Sequence, residues 1–283
     1  MLNFVLCLTL SIAYAKEPPQ LGTIELSMMN QSIDDMFSNC IDKMATQVQE
    51  VYFPREIQIS PFRDAWKKAT SCALKKLETL QTKSKELTIN HTKALCIYTL
   101  ESPKVYEQLN TALRTGAPNY NTTAFQYHAL YFWITSALQI MNSCQTTYRR
   151  TKNVYNGIVN TTMRFGNLAS SSLRPNMNDI IFGSVTCFHI KTCLGAYIGN
   201  FSTYPSEEEV LIPPYETFKI IKIVATSYGA LKCNKIFVLE SVGHKSNLNC
   251  KAVSHNQGTR ANIPLILGFQ LLIGLIWNHF HLI

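Results

Sequence analysis

Three consecutive glutamates, Glu207, Glu208 and Glu209, stand directly before the apolar run Val210-Leu211-Ile212. The run is short and ends at Pro213, which is typical of a strand followed by a turn. If the strand begins at Glu207, side chains alternate, so Glu207 and Glu209 share one face and Glu208 lies on the other. Two carboxylates one pleat apart repel, which raises the pKa of at least one, unless both are solvated or face a cation. Alone, the pattern favours an acidic loop before a strand.

Two polar segments earlier in the chain contain further side chains that could do chemistry. Tyr148-Arg149-Arg150 follows a long helical pattern, and Arg164-Phe165-Gly166 begins a stretch that reaches three serines at 170–172. An arginine offers a planar set of donors to phosphate or carboxylate, although a surface cation is its commonest role. Taken alone, the second segment is a polar turn, and no His/Asp pattern marks Ser170 as a nucleophile.

The elements around these segments predict helices first and strands later. Residues 30–145 have helical periodicity, with start signals at Ser60-Pro61 and Ser102-Pro103 and a buried helix within 123–144. From about residue 180 the chain has short β-branched or aromatic segments, at 184–192, 208–212, 216–225 and 235–239. This order, without repeats or long linkers, predicts one α+β domain.

In chain order, the arginine, the serines and the Glu-x-Glu pair resemble the arginine-specific ecto-ADP-ribosyltransferases of vertebrates. The resemblance spans almost the whole mature chain and implies a helical N-terminal part followed by a mainly antiparallel, two-sheet NAD-binding core. The matching segments are 37–40, 94–99 (ALCIYT), 148–149, 164–173 (RFGNLASSSL), 191–196 (KTCLGA), 207–218 (EEEVLIPPYETF) and 245–250 (KSNLNC).

The resemblance implies transfer of ADP-ribose from NAD⁺ to a protein arginine with loss of nicotinamide. Glu209 takes the place of the catalytic glutamate, and Glu207 that of the glutamate associated with arginine specificity. Arg149 matches the arginine of the first motif and Ser170 the first serine of the second. The positions at which the family contacts NAD⁺ correspond to Tyr98, Asn167 (where glutamine is common) and Ser202.

The chemistry of these residue types agrees with that assignment. Nicotinamide–ribose cleavage passes through an oxocarbenium-like state, which the Glu209 carboxylate would stabilise. Glu207 would orient the acceptor guanidinium and assist its proton loss, and Arg149 would grip the pyrophosphate. Ser170 would hold Glu209 or nicotinamide through its hydroxyl. NAD⁺ is expected as a co-substrate, with no permanently bound cofactor and no metal.

One position departs from the family pattern, because Arg150 stands where glycine is usual. If the backbone there needs positive φ or a close approach to the ligand, a side chain hinders the site. Otherwise the change is neutral or adds a second cation for phosphate.

The cysteines indicate disulfides in an exported protein. Nine occur, and Cys7 lies in the predicted signal peptide, which leaves an even number and 105 possible pairings if all are bridged. Their spacing does not suggest zinc. The resemblance implies Cys40–Cys250 and Cys144–Cys193. For the remainder we expect Cys72–Cys96 within the helical part and Cys187–Cys233 between strands.

The two ends differ from the middle of the chain. Charged residues make up 16% of the sequence, but residues 1–15 and 263–283 contain none. The first segment predicts a signal peptide that ends Ala13-Tyr14-Ala15. Residues 263–283 predict a removed glycosylphosphatidylinositol (GPI) attachment signal, with a single-pass anchor or a buried terminal strand as alternatives. Residues 16–262 then form a single ectodomain with a short polar C-terminal spacer. Its sequons are Asn30, Asn90, Asn121, Asn160 and Asn200.

The net charge is +8, but no basic run with interleaved aromatics predicts nucleic-acid binding. We predict a monomeric, GPI-anchored mono-ADP-ribosyltransferase of the outer leaflet of the plasma membrane, which uses NAD⁺ or NADP⁺ and acts on arginine-bearing proteins. The alternatives are a catalytically silent surface binding protein with the same fold, or mainly an NAD⁺ glycohydrolase. The alternative location is secretion.

Overall fold

A computed structural model of the chain describes residues 22–80 and 86–255. The predicted signal peptide and GPI attachment signal lie outside the described residues. The helices are α1 (Ile41–Gln47), α2 (Phe53–Glu56), α3 (Phe62–Leu80), α4 (Ile89–Tyr98), α5 (Val105–Thr115), α6 (His128–Met141), α7 (Asp179–Phe182) and α8 (Lys251–His255). The strands are β1 (Ile24–Glu25), β2 (Gln145–Thr151), β3 (Tyr155–Asn156), β4 (Thr162–Met163), β5 (Ala169–Ser172), β6 (Thr186–Thr192), β7 (Ala196–Tyr197), β8 (Glu209–Ile212), β9 (Glu216–Tyr228) and β10 (Leu231–His244). The predicted α+β class is confirmed.

The helical part is built on aromatic side chains that recur at helical spacing. Helix α6 is buried along residues 128–138, as its continuous apolar sequence predicts. The indoles of Trp66 on α3 and Trp133 on α6 stack with 4.8 Å between ring centroids. Phe53 meets the Trp133 ring edge-on at 5.1 Å. Burial of such rings contributes most of the free energy that holds these helices together.

The predicted starts of α3 and α5 are slightly early. Pro61 and Pro103 were expected at the first helical position, whereas the helices begin at Phe62 and Val105. The Ser60 hydroxyl donates to the Asp64 carboxylate instead of accepting from a backbone N–H as an N-cap does. Lys104 occupies the N-cap of α5 without a side-chain hydrogen bond.

Eight strands form the main sheet in the order β4-β9-β10-β6-β2-β5-β8-β7. Strands β10 and β6 are parallel, and the other neighbours in this sheet are antiparallel. Strand β2 pairs with β5 only at Tyr148 and Ser172, so the sheet has two parts that diverge on either side of this contact. The polar motif residues lie around the gap between β2 and β5.

Strands begin earlier in the chain than predicted. The sequence placed the change from helices to strands near residue 180, whereas β2 begins at Gln145 and β5 at Ala169. Both strands are polar, so they lack the apolar alternation that marks a half-buried strand. Strand β2 is held by continuous pairing with β6 from Gln145 to Thr151, so the tertiary context determines its conformation.

Four disulfides join the described residues, and they are the pairs given by the sequence analysis. They are Cys40–Cys250, Cys72–Cys96, Cys144–Cys193 and Cys187–Cys233. The first links parts of the chain that are 210 residues apart. Buried carboxylates support the same junction, because Asp34 accepts from the backbone N–H of Asn247 and Leu248, and Asp35 from that of Cys250.

Within residues 22–80 and 86–255, no helix has both the length and the apolar character that crossing a membrane requires.

Candidate active site

Strand β5 places the serines of the second motif between β2 and β8. Ser171 donates to the Val210 carbonyl at 2.9 Å, and Ser172 donates to the Glu207 carbonyl at 2.6 Å. The Ser170 hydroxyl lies beside the carboxylate of Glu209 and lowers its pKa. Small hydroxyl side chains therefore fix β8 and the turn before it to β5. The predicted polar turn is in fact a strand that positions both glutamates.

The path of the three glutamates differs from the single strand face that the sequence predicted. Residues Pro205–Glu207 form a 3₁₀ turn, and β8 begins only at Glu209. Between them Glu208 has the left-handed conformation, with φ 45° and ψ 51°. Because this residue breaks the strand, alternation does not relate the side chains of Glu207 and Glu209. The turn nevertheless brings both into one pocket.

That pocket, called here the glutamate pocket, has about 430 Å³ of space, part of it open to solvent. Arg149 reaches it from β2, Ser170 from β5, and Glu207 and Glu209 from the turn and β8. An Nη of Arg149 donates to the Ser170 carbonyl, which fixes the arginine against the neighbouring strand. The other lining residues are Tyr148, Arg150, Ser171, Ser172, Arg174, Met177 and Phe182.

The electrostatics differ between the two glutamates. Glu209 is 6% exposed, and burial raises its pKa from 4.5 to about 7. The nearby Glu207 raises it further, while the hydrogen bond from Ser170 and the charge of Arg149 act in the opposite direction. Glu207 is half-buried, and burial raises its pKa as well. Glu209 can therefore change charge near neutral pH, as catalytic carboxylates often do.

A second pocket, called here the Asn167 pocket, has about 900 Å³ of space, part of it open to solvent, and shares Arg149 with the first. Asn167 lines it and donates from Nδ2 to the Leu168 carbonyl at 2.8 Å. The remaining lining residues include Arg114, Tyr155 and Phe165. Arg149 therefore stands between two adjoining spaces. Such an arrangement suits a long ligand with an anion near its middle.

Tyr98 and Ser202 line neither of these pockets. Tyr98 is buried at the end of α4, where its hydroxyl donates to the Leu168 carbonyl at 3.1 Å and accepts from Asn110 Nδ2. Its pKa is well above the ordinary range because of burial, and the charge of Glu209 adds to the effect. Ser202 is 2% exposed, and its hydroxyl accepts from the Tyr204 N–H at 2.9 Å. Both side chains support the backbone next to the site.

Arg150, the departure from the family pattern, has the backbone conformation of a strand residue. It lies within β2 opposite Cys187 and is not among the positive-φ residues. Its guanidinium lines the glutamate pocket and donates to two backbone carbonyls, those of Lys232 and Pro175. Of the two conditions under which a side chain would hinder the site, positive φ is therefore absent at Arg150.

Sequence reasoning missed three pocket-lining residues that precede or belong to α7: Arg174, Met177 and Phe182. Asn178 caps this short helix, since its side chain accepts from the N–H of Ile180 and Ile181. An Asn before an apolar run is a recognisable helix start, and it could have located α7. The relation of α7 to the pocket depends on tertiary contacts that the local sequence does not encode.

No group of three or more His, Cys, Asp or Glu side chains in the described part of the chain is arranged to hold a metal ion.

The family model of the NAD:arginine ADP-ribosyltransferases matches residues 26–246. The chain belongs to this family. Among its relatives, T-cell ecto-ADP-ribosyltransferase 1 of Rattus norvegicus is 30% identical over 263 residues, covering 90% of each chain. Ecto-ADP-ribosyltransferase 4 of Mus musculus is 28% identical over 267 residues, covering 89% of this chain and 85% of its own.

This member of the NAD:arginine ADP-ribosyltransferase family also has solved structural relatives. A mutant of the mono-ADP-ribosyltransferase ART2.2 in complex with NADH superposes with a TM-score of 0.67 and 29% identity. The match covers 80% of this chain and 98% of that one. A further ART2.2 mutant, in complex with NAD, matches with the same score.

Proposed function

We propose that this protein transfers ADP-ribose from NAD⁺ to arginine side chains of other proteins. One observation supports the proposal most directly: Arg149, Ser170, Glu207 and Glu209 line a single pocket. A second pocket shares Arg149 with it, which leaves room for an extended dinucleotide. NAD⁺ is a co-substrate in this scheme, and NADP⁺ is a second candidate donor, because several relatives are named NAD(P)⁺–arginine ADP-ribosyltransferases.

The donor would lie across both pockets. Its nicotinamide ribose would occupy the glutamate pocket, its pyrophosphate would contact Arg149, and the rest of the nucleotide would extend past Asn167. A planar guanidinium that already donates to the Ser170 carbonyl has further N–H groups available for phosphate oxygens. Tyr98 and Ser202 would act from behind the pocket walls, by holding Leu168 and the chain before Tyr204 in place.

Glu209 would stabilise bond cleavage. When the C1′–N bond breaks, nicotinamide leaves as a neutral molecule with the bonding electrons, and positive charge develops on the ribose. An ionised Glu209 next to that ribose would accept a hydrogen bond from the ribose hydroxyl and stabilise the developing cation. Ser170, whose hydroxyl lies beside this carboxylate, would donate a hydrogen bond to it and keep it oriented.

Glu207 would serve the acceptor. Its half-buried carboxylate lies nearer to solvent than that of Glu209, on the 3₁₀ turn at the pocket wall. An incoming guanidinium would pair with it, and a guanidinium nitrogen would then form the new bond to C1′. The proton released in this step would pass to Glu207, which balances the reaction.

The experiment follows label from NAD⁺ to arginine and measures nicotinamide release in parallel. We expect Glu209→Gln to abolish both, because bond cleavage itself needs the carboxylate. Glu207→Gln should lower arginine labelling and leave most of the nicotinamide release, with water as the acceptor. Equal arginine labelling by wild type and Glu209→Gln would refute the proposal. Nicotinamide release that does not depend on an added arginine analogue would indicate a glycohydrolase.

We propose that the protein acts as a monomer at the cell surface, held by a GPI lipid. Four disulfides are typical of an exported chain, and some relatives are named ecto- or GPI-linked enzymes. Of the proposed glycan sites, Asn30, Asn160 and Asn200 are exposed, and Asn90 and Asn121 are half-buried. Phosphatidylinositol-specific phospholipase C should release the protein from cells. Retention after this treatment would contradict the lipid anchor.

A further inference from the structure

Part of the wall of the glutamate pocket is a connecting segment rather than a strand of the sheet. Residues 173–183, called here the rim segment, lead from β5 through α7 and contribute Arg174, Met177 and Phe182 to the pocket. Ile180 and Ile181, at the middle of α7, are 82% and 65% exposed. Apolar burial therefore contributes little to holding this part of the segment in place.

Hydrogen bonds and one close backbone contact hold the rim segment at three points. At its start, Arg174 donates from its backbone N–H to Ser172 Oγ at 2.9 Å and from Nη1 to the Ser206 carbonyl at 3.0 Å. At its end, Gly183 packs directly against the backbone of Thr151 and Lys152. Between these points, the Pro175 carbonyl accepts from Arg150 Nη2 at 3.1 Å.

The other terminal nitrogen of the Arg150 guanidinium is hydrogen-bonded to strand β10. This Nη1 donates to the Lys232 carbonyl at 3.1 Å and lies 3.5 Å from Cys233 Sγ. Cys233 is bonded to Cys187 on β6, so β10 is covalently tied to the strand beside β2 at this point. Arg150 thus connects a fixed position on the sheet to Pro175, near the start of the rim segment.

We propose that Arg150 is a positioning residue that fixes the rim segment over the glutamate pocket and thereby sets the affinity for the dinucleotide. This inference rests on the proposed function, because it assigns a purpose to the wall of that same site. Arg150 acts through the Pro175 carbonyl and not as a direct phosphate ligand. The structure supports this role because the two terminal nitrogens of Arg150 donate to backbone carbonyls in two different segments, those of Lys232 and Pro175.

The shape of the guanidinium makes the idea testable. A planar fork can donate to two carbonyls in different segments at once, whereas a lysine ammonium has one nitrogen and retains the same charge. Arg150→Lys and Arg150→Ala should therefore both raise the KM for NAD⁺ about tenfold, the effect of losing one charge-assisted hydrogen bond. The value of kcat should change less than threefold, because Glu207 and Glu209 keep their contacts.

The measurement combines nicotinamide-release kinetics with hydrogen–deuterium exchange of peptides from the rim segment. Both variants should exchange faster in residues 173–183 than wild type. Lys232→Ala is the matched control: it removes a neighbouring exposed charge but leaves the accepting carbonyl, so KM and exchange should stay unchanged.

Two outcomes would overturn the proposal. Arg150→Lys with wild-type KM and wild-type exchange would mean that charge alone matters. Unchanged rim exchange in both variants would mean that Arg150 does not hold the segment. If wild type releases no nicotinamide, the proposed function fails, and the exchange measurement still tests the contact by itself.

Discussion

Glu209 should make the folded protein less stable at neutral pH than at pH 4.5. Burial raises the pKa of this 6% exposed carboxyl from 4.5 to about 7 in the folded state. In the unfolded chain the pKa returns to its ordinary value. Below pH 4.5 the group is protonated in both states and has no effect. As the pH rises from 4.5 to 7, the unfolded chain ionises first, so stability is lost over this window and stays lost above it.

The size of the effect follows from the shift in pKa. Each unit corresponds to about 1.4 kcal/mol, so the ionised carboxylate costs about 3 kcal/mol above pH 7. Glu209→Gln removes the charge and retains nearly the same shape. The variant should therefore match wild type near pH 4.5 and be more stable by about 3 kcal/mol at pH 8. For a domain of this size the difference corresponds to about 6–12 °C in Tm.

The assay is thermal unfolding of the mature protein, with disulfides intact and without NAD⁺, at several pH values from 4.5 to 8. Glu208→Gln is the control, because it removes the same charge one residue away on the half-buried turn. Its Tm should follow that of wild type at each pH. If Glu209→Gln differs from wild type by the same amount at pH 5 and pH 8, the cause is not ionisation and the reasoning is wrong.

Three further predictions test other parts of the site. At pH values under about 7, the kcat/KM for NAD⁺ should decrease because Glu209 takes up a proton. A flat profile of nicotinamide release from pH 5 to 9 would contradict its role as a carboxylate. Arg164 is 1% exposed and ion-paired to the buried Asp34, so Arg164→Met should lower the free energy of unfolding by about 3–5 kcal/mol in urea titrations. A loss below 1 kcal/mol would mean that the pair is dispensable. Gly183→Ala should raise KM and cost at least about 1 kcal/mol, because a Cβ would lie 2.5 Å from Lys152 N in a backbone with φ +96°. Gly229→Ala is its control, since that glycine also has positive φ but meets nothing within 4 Å, and equal KM effects would refute the steric argument.

The parts of the fold that the sequence predicted are those where local pattern and tertiary burial agree. Helix α6 has a continuous apolar sequence and is buried, and the predicted strand at 184–192 overlaps β6 closely. Strands β2 and β5 were missed because their side chains are polar, and a polar strand leaves no periodic signal. Their conformation depends on pairing with β6 and β8, which lie far along the chain.

For the site, the family resemblance identified the residues, and the structure shows which contacts position them. Glu207 and Glu209 were expected on one strand face, but a left-handed Glu208 separates them. A non-glycine residue with positive φ is uncommon, so pattern reasoning does not anticipate it. The contacts of Arg150 could not be predicted from the sequence either, because both of its partners are backbone carbonyls, which every residue type has.

The Cys40–Cys250 bridge has a consequence for how the protein could be shed. It closes a covalent ring that contains every described residue from α1 to the end of β10. A protease that cuts one peptide bond inside the ring leaves the two fragments linked, so the domain stays attached to whatever holds its C-terminal side. Release by a single cut requires cleavage after Cys250. A reducing environment would break the Cys40–Cys250 disulfide, and a chain that had already been cut could then separate into its fragments.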